Sequence, residues 1–293
     1  MDIKGIYTGK PASFQFALLI FLVLGGTLLS GLLSLPVMGG TPTADAGRLR
    51  TVQAIASVCM FLLPAFGAAY LFSPRIRPYL SIGKTPDATL IALTFLSVLL
   101  ATPVIGVANI LNQGMQLPSF LAPVEQWMRE QEDAMERVTR LLLEGKGVGV
   151  LLANLLVIAV IAGITEEFMF RGALQRVLGN RFRSHHAVIW TAAFLFSAFH
   201  LQFYGFVPRL LLGAYFGYLL YWSGNIWLPV AAHFFNNMCG VLTLSSPALS
   251  ENKILSEHAL LSDVWPVAAA SLLLFVPCAL YLKKRLRSEV LLP

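Results

Sequence analysis

Two adjacent acids, Glu166 and Glu167, end a long apolar stretch, residues 147–165, that contains no charged residue. An acid inside a membrane span costs at least about 2.5–3.5 kcal/mol on insertion scales, so such a residue indicates function by default. Two histidines, His200 and His233, lie in later apolar segments. Carboxylates and imidazoles act as general bases toward water or as ligands of zinc. We therefore expect the chemistry of this chain to be concentrated in its second half.

Helix geometry gives the two acids different surroundings. Residues four apart lie on one face of a helix, whereas neighbours point about 100° apart. Glu167 and Arg171 are four apart, so we expect an ion pair between them, which leaves Glu166 free to point into the bundle. The alternative is that both acids reach the cytoplasmic headgroups together with Arg171.

Two more pairs share this spacing. Phe196 and His200 place a ring beside an imidazole, and His233 and Asn237 can donate hydrogen bonds toward one point. A single membrane histidine is more often an interhelical hydrogen-bonding group than a catalytic one. Here, however, two histidines occur with an asparagine and a free carboxylate. Because the histidines fall on separate helices, a zinc site is allowed by residue type but not indicated by spacing. Its ligands would be Glu166, His200 and His233.

Membrane-spanning helices must position these residues. Of the 293 residues, 57% are hydrophobic and 12% are charged, whereas soluble domains have about 25% charged residues. About eight apolar windows with few or no charged residues are candidate spans. They cover residues 14–35, 52–72, 88–111, 147–170, 186–203, 206–222, 226–244 and 264–282. We predict an all-α, polytopic membrane bundle that forms a single domain over residues 1–293, with a catalytic core at residues 147–245.

One segment differs from the apolar windows. Residues 118–145 combine apolar residues at helical spacing with many charged residues, which is typical of an amphipathic helix. The simplest interpretation is a helix that rests on the bundle or lies in the membrane interface. The alternative is a lid over a cavity or a docking surface.

The basic residues predict an orientation. The formal net charge is +6, but in a membrane protein excess Lys and Arg mark cytoplasmic loops rather than nucleic-acid binding. With both termini cytoplasmic, most of the basic residues fall inside. They are Lys4, Lys10, Arg75, Arg77, Lys84, Arg171, Arg176, Arg181, Arg183, Lys283, Lys284, Arg285 and Arg287. We therefore predict cytoplasmic N and C termini.

Taken in order, the spaced pairs resemble the motifs of a known family. They are Glu166-Glu167-x-x-x-Arg171, Phe196-x-x-x-His200 and His233-x-x-x-Asn237. They look like those of the CPBP superfamily of intramembrane proteases, which includes the type II CAAX prenyl endopeptidases and the bacterial Abi proteins. Each motif alone is weak, but together they are specific. The resemblance covers residues 147–245 and leaves the first half of the chain unmatched.

This resemblance implies a role for each motif. Glu166 and His200 would activate a water molecule, and His233 and Asn237 would stabilise the oxyanion, a term that often dominates acyl transfer. The supporting residues would be Glu167, Arg171 and Phe196. Because water must reach Glu166, we expect a cavity open to the cytoplasm. Relatives favour a glutamate–histidine mechanism without an obligatory metal, so no cofactor is expected, with zinc as the alternative.

The function that follows is an intramembrane endopeptidase that cuts peptide bonds near the cytoplasmic membrane face. It would perform CAAX-type processing or the processing of peptides or membrane proteins, in a bacterial inner membrane. Its partners would be a peptide or membrane-protein substrate and the lipid bilayer, not nucleic acid. One alternative is a non-proteolytic bacteriocin-immunity or scaffolding membrane protein. Another is a proton-coupled transporter, which would require discontinuous helices or paired half-repeats.

Overall fold

Apolar windows separated by short polar loops fold into helices, and the computed structural model shows which ones. It describes residues 3–39, 45–83, 85–254, 256 and 259–290, so Lys84, used above for orientation, lies outside the described residues. These residues form long helices and a few single turns, with no strand among them. The long helices are α1 Ala12–Met38, α2 Ala46–Phe72, α3 Ala88–Gln113, α4 Ala122–Leu143, α5 Val148–Gly179, α6 His185–Phe199, α7 Phe206–Ser223, α8 Trp227–Ser245 and α9 Leu261–Val290.

Each apolar window coincides with one helix, and the segment predicted to be amphipathic is α4. The prediction of an all-α integral membrane protein is therefore confirmed. Five helices, α1, α2, α3, α5 and α9, are long and apolar enough to cross a membrane within the described residues, so the count of eight spans is not confirmed. Helix α6 has 15 residues and rises about 22 Å, less than the roughly 30 Å hydrocarbon core.

Helix α5 carries the two acids between two wider turns. Residues Leu155–Ile161 and Phe168–Leu174 form π-helical turns on either side of a short α-helical segment that ends at Glu167. Such turns interrupt α-helices at functional sites more often than elsewhere. Because a π-helical turn holds an extra residue, the side chains after it point in other directions than a regular α-helix would give them. The sequence spacing does not predict this effect.

An aromatic cluster holds α5 against α2 and α6. The ring of Phe170 lies 5.8 Å from that of Phe61 on α2 and 5.1 Å from that of Phe196 on α6, measured between centroids. All three side chains are buried, and edge-to-face aromatic pairs contribute about 0.5–1.5 kcal/mol beyond the area they bury. This packing fixes α5 and α6 side by side, the two helices that carry the acids and His200.

The bundle has two ends of different character. At one end, which we call the basic end, the Asn180 amide donates to Gln15 Oε1 at 3.1 Å and the Ile226 N–H donates to the Ser81 carbonyl at 2.9 Å. This end gathers the chain segments 3–11, 73–83, 180–184 and 224–226. The other end, which we call the loop-200 end, gathers segments 114–121, 144–147, 200–205 and 246–260.

Helix α4 lies across the loop-200 end and is attached at both of its ends. Near its start, Trp127 packs on Phe203 with 5.2 Å between ring centroids. Around its C-terminal end, Arg50 of α2 donates to the Leu142 carbonyl at 3.0 Å, to the Glu144 carbonyl at 2.7 Å and to Asn154 Oδ1 at 2.7 Å. A guanidinium suits this role because its donors have a fixed planar geometry.

Replacing Arg50 with Lys should loosen the C-terminal end of α4, because a single ammonium cannot reach all three acceptors in this geometry. We expect faster hydrogen exchange over residues 142–147, measured by mass spectrometry on the purified full chain. The matched control is Arg137→Lys on the exposed face of α4, which should leave exchange unchanged. Equal exchange in the two variants would show that the hydrogen bonds of Arg50 do not hold the C-terminal end of α4.

Candidate active site

A buried ion pair lies at the centre of the site. Arg171 Nη1 lies 3.0 Å from Glu167 Oε1, and both side chains are at most 1% exposed. Arg171 also donates from Nη2 to the Gly213 carbonyl of α7 at 2.9 Å, and its guanidinium lies 4.5 Å from the centre of the Phe196 ring. The predicted Glu167–Arg171 pair is confirmed. The alternative that Glu167 reaches the headgroups is wrong, because this carboxylate is enclosed by protein.

Two glycines of α7 make room for polar side chains of α5. A Cβ atom at Gly213 would lie 3.1 Å from the Phe196 ring and 3.2 Å from Arg171 Nη2. One turn further along α7, Gln175 donates to the Gly217 carbonyl at 3.3 Å. Polar groups of α5 therefore satisfy helix carbonyls of α7, and small residues permit that approach.

His233 is oriented by the same carboxylate. Its Nδ1 lies 2.8 Å from Glu167 Oε1. The carboxylate that pairs with Arg171 accepts hydrogen bonds and has none to donate, so Nδ1 must carry the proton. The neutral imidazole then has its lone pair on Nε2, which lies 3.8 Å from Glu166 Oε2.

His200 is oriented in the same way by a backbone carbonyl. Its Nδ1 donates to the Phe196 carbonyl at 2.9 Å, and its ring lies 5.0 Å from the Phe196 ring in an edge-to-face arrangement. Its Nε2 lies 3.9 Å from Glu166 Oε2. One carboxylate oxygen thus faces the Nε2 atoms of two imidazoles from two different helices.

These groups line a cavity of about 270 Å³. Its walls include Asn109, Glu166, Phe196, His200, Gly205, Pro208, Arg209, Leu212, Phe216, His233, Asn236 and Asn237. The structure therefore brings all four predicted catalytic residues to one cavity, and the three predicted supporting residues are in place around it.

The prediction that His233 and Asn237 both donate toward one point is only partly met. The His233 Nδ1 proton goes to Glu167, and Asn237 donates from Nδ2 to the Ile158 carbonyl at 2.9 Å. Asn237 Oδ1 also accepts a hydrogen bond from Asn236 at 3.2 Å. The reason is that the buried acceptors on α5 compete for these donors. An amide nitrogen carries two hydrogens, so Asn237 retains a second one for a ligand.

Several cavity residues were not predicted as part of the site, among them Asn109 and Arg209. Asn109 comes from α3, where an amide near the end of an apolar window was the only available signal. Arg209, near the start of an apolar window, lines the cavity, and its Nη2 donates to Gln202 Oε1 at 2.8 Å. Its guanidinium rests on Gly205, where a Cβ atom would approach Nη2 to 3.0 Å.

Helix α4 covers the loop that joins His200 to Arg209. Glu132 Oε2 accepts a hydrogen bond from the Tyr204 N–H at 3.2 Å. Burial raises the pKa of the Glu132 carboxyl, and the hydrogen bond from Tyr204 opposes that shift. Arg129 stacks on the Tyr204 ring at 4.6 Å. The geometry thus favours the interpretation of this segment as a cover over the cavity's edge.

The cavity lies toward the loop-200 end, since His200, Gly205 and Arg209 border it there. Two expectations from the sequence are therefore incompatible. If the basic loops are cytoplasmic, a cavity near the other end does not open to the cytoplasm. A second cavity of about 440 Å³ lies at the basic end and is bordered by Arg171, Arg176, Arg183 and His185. The Arg171 guanidinium and the Phe196 ring stand between the two cavities.

The fold and this cluster define a class of protein: an all-α integral membrane protein with a carboxylate and two imidazoles in a cavity within its bundle. Residues 148–239 match the family model of the type II CAAX prenyl endopeptidases, Rce1-like. This match confirms the resemblance inferred from the motifs, and it includes every predicted site residue.

Among the curated proteins, the uncharacterized protein YpbD of Bacillus subtilis (strain 168) is 27% identical over 85 residues. The match covers 28% of this chain and 40% of YpbD, so it spans less than half of either protein. No solved structure matches this chain significantly.

Replacing Gly213 with Ala should disturb the buried ion pair, because neither Phe196 nor Arg171 has space to retreat. We expect a loss of stability of about 1–3 kcal/mol, typical of overpacking, seen as a lower midpoint of thermal unfolding in detergent. The control is Gly240→Ala in α8, where a Cβ atom meets nothing within 4 Å. An unchanged midpoint for Gly213→Ala would show that the site tolerates the extra methyl group.

Proposed function

We propose that this protein is an intramembrane endopeptidase that hydrolyses peptide bonds with a water molecule held by Glu166 and His200. The observation that carries this proposal is the approach of two Nε2 atoms, at 3.8 and 3.9 Å, to one oxygen of Glu166 within a cavity. The family match over residues 148–239 supports the same reaction class.

The proposed step begins with a water molecule between Glu166 and His200. The Glu166 carboxylate removes a proton as the water oxygen attacks the carbonyl carbon of the peptide, and the carbonyl electron pair moves to its oxygen. The tetrahedral intermediate then collapses, the carbon–nitrogen bond breaks, and the leaving amine takes the proton back from Glu166. General-base and general-acid transfers of this kind each contribute about 10²–10⁴-fold.

The developing oxyanion requires donors. The second amide hydrogen of Asn237 supplies one. His233 supplies another when its Nε2 is protonated, since Nδ1 is committed to Glu167. Two carboxylates flank this imidazole, with Glu167 Oε1 2.8 Å from Nδ1 and Glu166 Oε2 3.8 Å from Nε2. Donors fixed before the reaction act in a low-dielectric site without reorganisation, where they are most effective.

The membrane setting belongs to the same proposal. Helices α6, α7 and α8 carry His200, Arg209 and His233 and pack among the five apolar spans, so we propose that they complete an eight-helix membrane domain in a bacterial inner membrane. The substrate would be a peptide or a membrane protein, processed at a CAAX-type sequence or elsewhere.

Zinc is a second candidate for water activation, and one observation favours it. Metal-bound histidines usually donate their other ring nitrogen to a carbonyl or carboxylate, as His200 and His233 both do. Glu166, His200 and His233 would hold the ion, which would polarise the bound water. Their separations exceed the roughly 3.4 Å between ligands of a tetrahedral zinc ion, and no group of three metal-binding side chains is ready-made in the described part of the chain.

Replacing Glu166 with Gln should lower the rate of hydrolysis at least about 10²-fold, because the amide cannot accept the water proton. The fold should survive this substitution. The measurement is cleavage of a quenched peptide pool by purified protein, with and without a chelator. The control is Glu251→Gln, an exposed acid that does not line the cavity, which should retain full activity.

The chelator distinguishes the two mechanisms. Loss of cleavage with the variant but not with the chelator supports the metal-free reaction, and loss with both supports zinc. If the Glu166→Gln variant keeps the function of the wild type in cells, the peptidase proposal would be contradicted. A scaffolding or immunity protein would then be favoured.

A further inference from the structure

The side of the membrane that the cavity faces follows from two features of the structure taken together. One is the distribution of basic residues between the two ends of the bundle. The other is the position of the cavity relative to those ends.

Lysine and arginine residues concentrate at the basic end. Its segments carry Arg75, Arg77, Arg181 and Arg183, and the adjoining parts of α5 and α9 add Arg176 and Lys283. Lys283 lies 5.7 Å from the Trp222 ring at the end of α7, and Arg176 lies 5.7 Å from the Tyr79 ring. These contacts place the ends of α5, α7 and α9 at one surface. Short loops rich in Lys and Arg remain cytoplasmic.

The loop-200 end has a mixed charge. Three of its arginines pair with carboxylates close to them in sequence: Arg48 with Asp45, Arg129 with Glu125, and Arg140 with Glu136. The same end also carries Arg50, Arg137, Lys146 and Lys253. Helix α4, which supplies two of these pairs, is amphipathic. The loop-200 end carries fewer Lys and Arg residues than the basic end, and this bias favours a cytoplasmic position for the basic end.

The cavity approaches the loop-200 end. Asn112 of α3 donates to the Phe203 carbonyl at 3.0 Å and accepts from the Val207 N–H at 2.8 Å. These bonds attach the loop after His200 to the end of α3. Gly205 and Arg209, at the start of α7, border the cavity beside that loop.

Buried side chains separate the cavity that holds Glu166 from the basic end. Glu167 and Arg171 are at most 1% exposed, and Phe196 is 3% exposed. Arg171 borders the cavity at the basic end, Phe196 borders the one that holds Glu166, and the guanidinium stacks on that ring. This packing favours entry of water and substrate from the loop-200 side.

We infer that the candidate active site opens to the extracytoplasmic face and takes peptide segments that reach the membrane from that side. The substrate class rests on the proposed peptidase function, but the sidedness does not. This inference replaces the expectation of a cytoplasmic opening, because the charge distribution and the cavity position do not allow both. A substrate whose cleavage site stays in the cytoplasm would not reach Glu166.

Cysteine labelling of the full chain in spheroplasts tests the sidedness without requiring activity. Gly114→Cys marks the loop-200 end and Gly9→Cys marks the basic end; both positions are exposed, and a Cβ atom meets nothing closer than 3.6 Å. Asn109→Cys marks the cavity itself. Wild type, with Cys59, Cys239 and Cys278, gives the background.

A membrane-impermeant thiol reagent added outside should label Gly114→Cys and Asn109→Cys. It should label Gly9→Cys only after the membrane is permeabilised, which also shows that each cysteine can react. The reverse pattern, or labelling of Asn109→Cys only after permeabilisation, would overturn the inference.

Cleavage separates this inference from the peptidase proposal. An impermeant quenched peptide pool given to spheroplasts should be hydrolysed by wild type and not by Glu166→Gln. Hydrolysis in detergent but not by spheroplasts would overturn the outward opening alone. No hydrolysis in either setting, with outward labelling intact, would overturn the peptidase function and leave the sidedness standing.

Discussion

A carboxylate and a guanidinium enclosed in a membrane bundle are stable only when each satisfies the other, and the Glu167–Arg171 pair is the contact on which the site depends. Removing one partner from a buried pair costs about 3–5 kcal/mol, because the remaining charge is left without compensation. The pair also has a directing role. Glu167 accepts from His233, while Arg171 reaches the Gly213 carbonyl and stacks on Phe196. One ion pair thereby joins α5 to α6, α7 and α8.

Division of labour between adjacent acids follows from this arrangement. Glu167 has a structural role, because its Oε1 atom accepts the hydrogen bond that fixes the tautomer of His233. Glu166, about 100° away around the helix, faces the cavity and approaches the imidazoles of His200 and His233. Two π-helical turns bracket this pair of residues, and His200 and His233 present their Nε2 atoms to it from neighbouring helices. The same acid types therefore have opposite roles because the protein surrounds them differently.

Local geometry explains how much the sequence predicted. Spacings of four residues on a helix place side chains together wherever the helix lies, so the Glu167–Arg171 and Phe196–His200 contacts were predictable. The contribution of Asn109 was not, because it depends on how α3 packs against helices that lie distant in sequence. The side-chain amide of Asn237 was predicted to donate to a ligand, but one of its two hydrogens is donated to the Ile158 carbonyl. The end of the bundle that the cavity approaches was not predictable either, because charge counts locate loops, whereas packing decides where a cavity lies.

The central claim is that Glu167 holds the His233 ring with its proton on Nδ1 and its Nε2 facing Glu166. Nitrogen-15 NMR of histidine-labelled protein, with the His233 signals assigned by their absence in His233→Asn, measures this directly. The account predicts a protonated Nδ1 whether or not Nε2 also carries a proton. A bare Nδ1 with the proton on Nε2 would mean that Glu167 does not orient this ring, and the proposed arrangement around Glu166 would be contradicted.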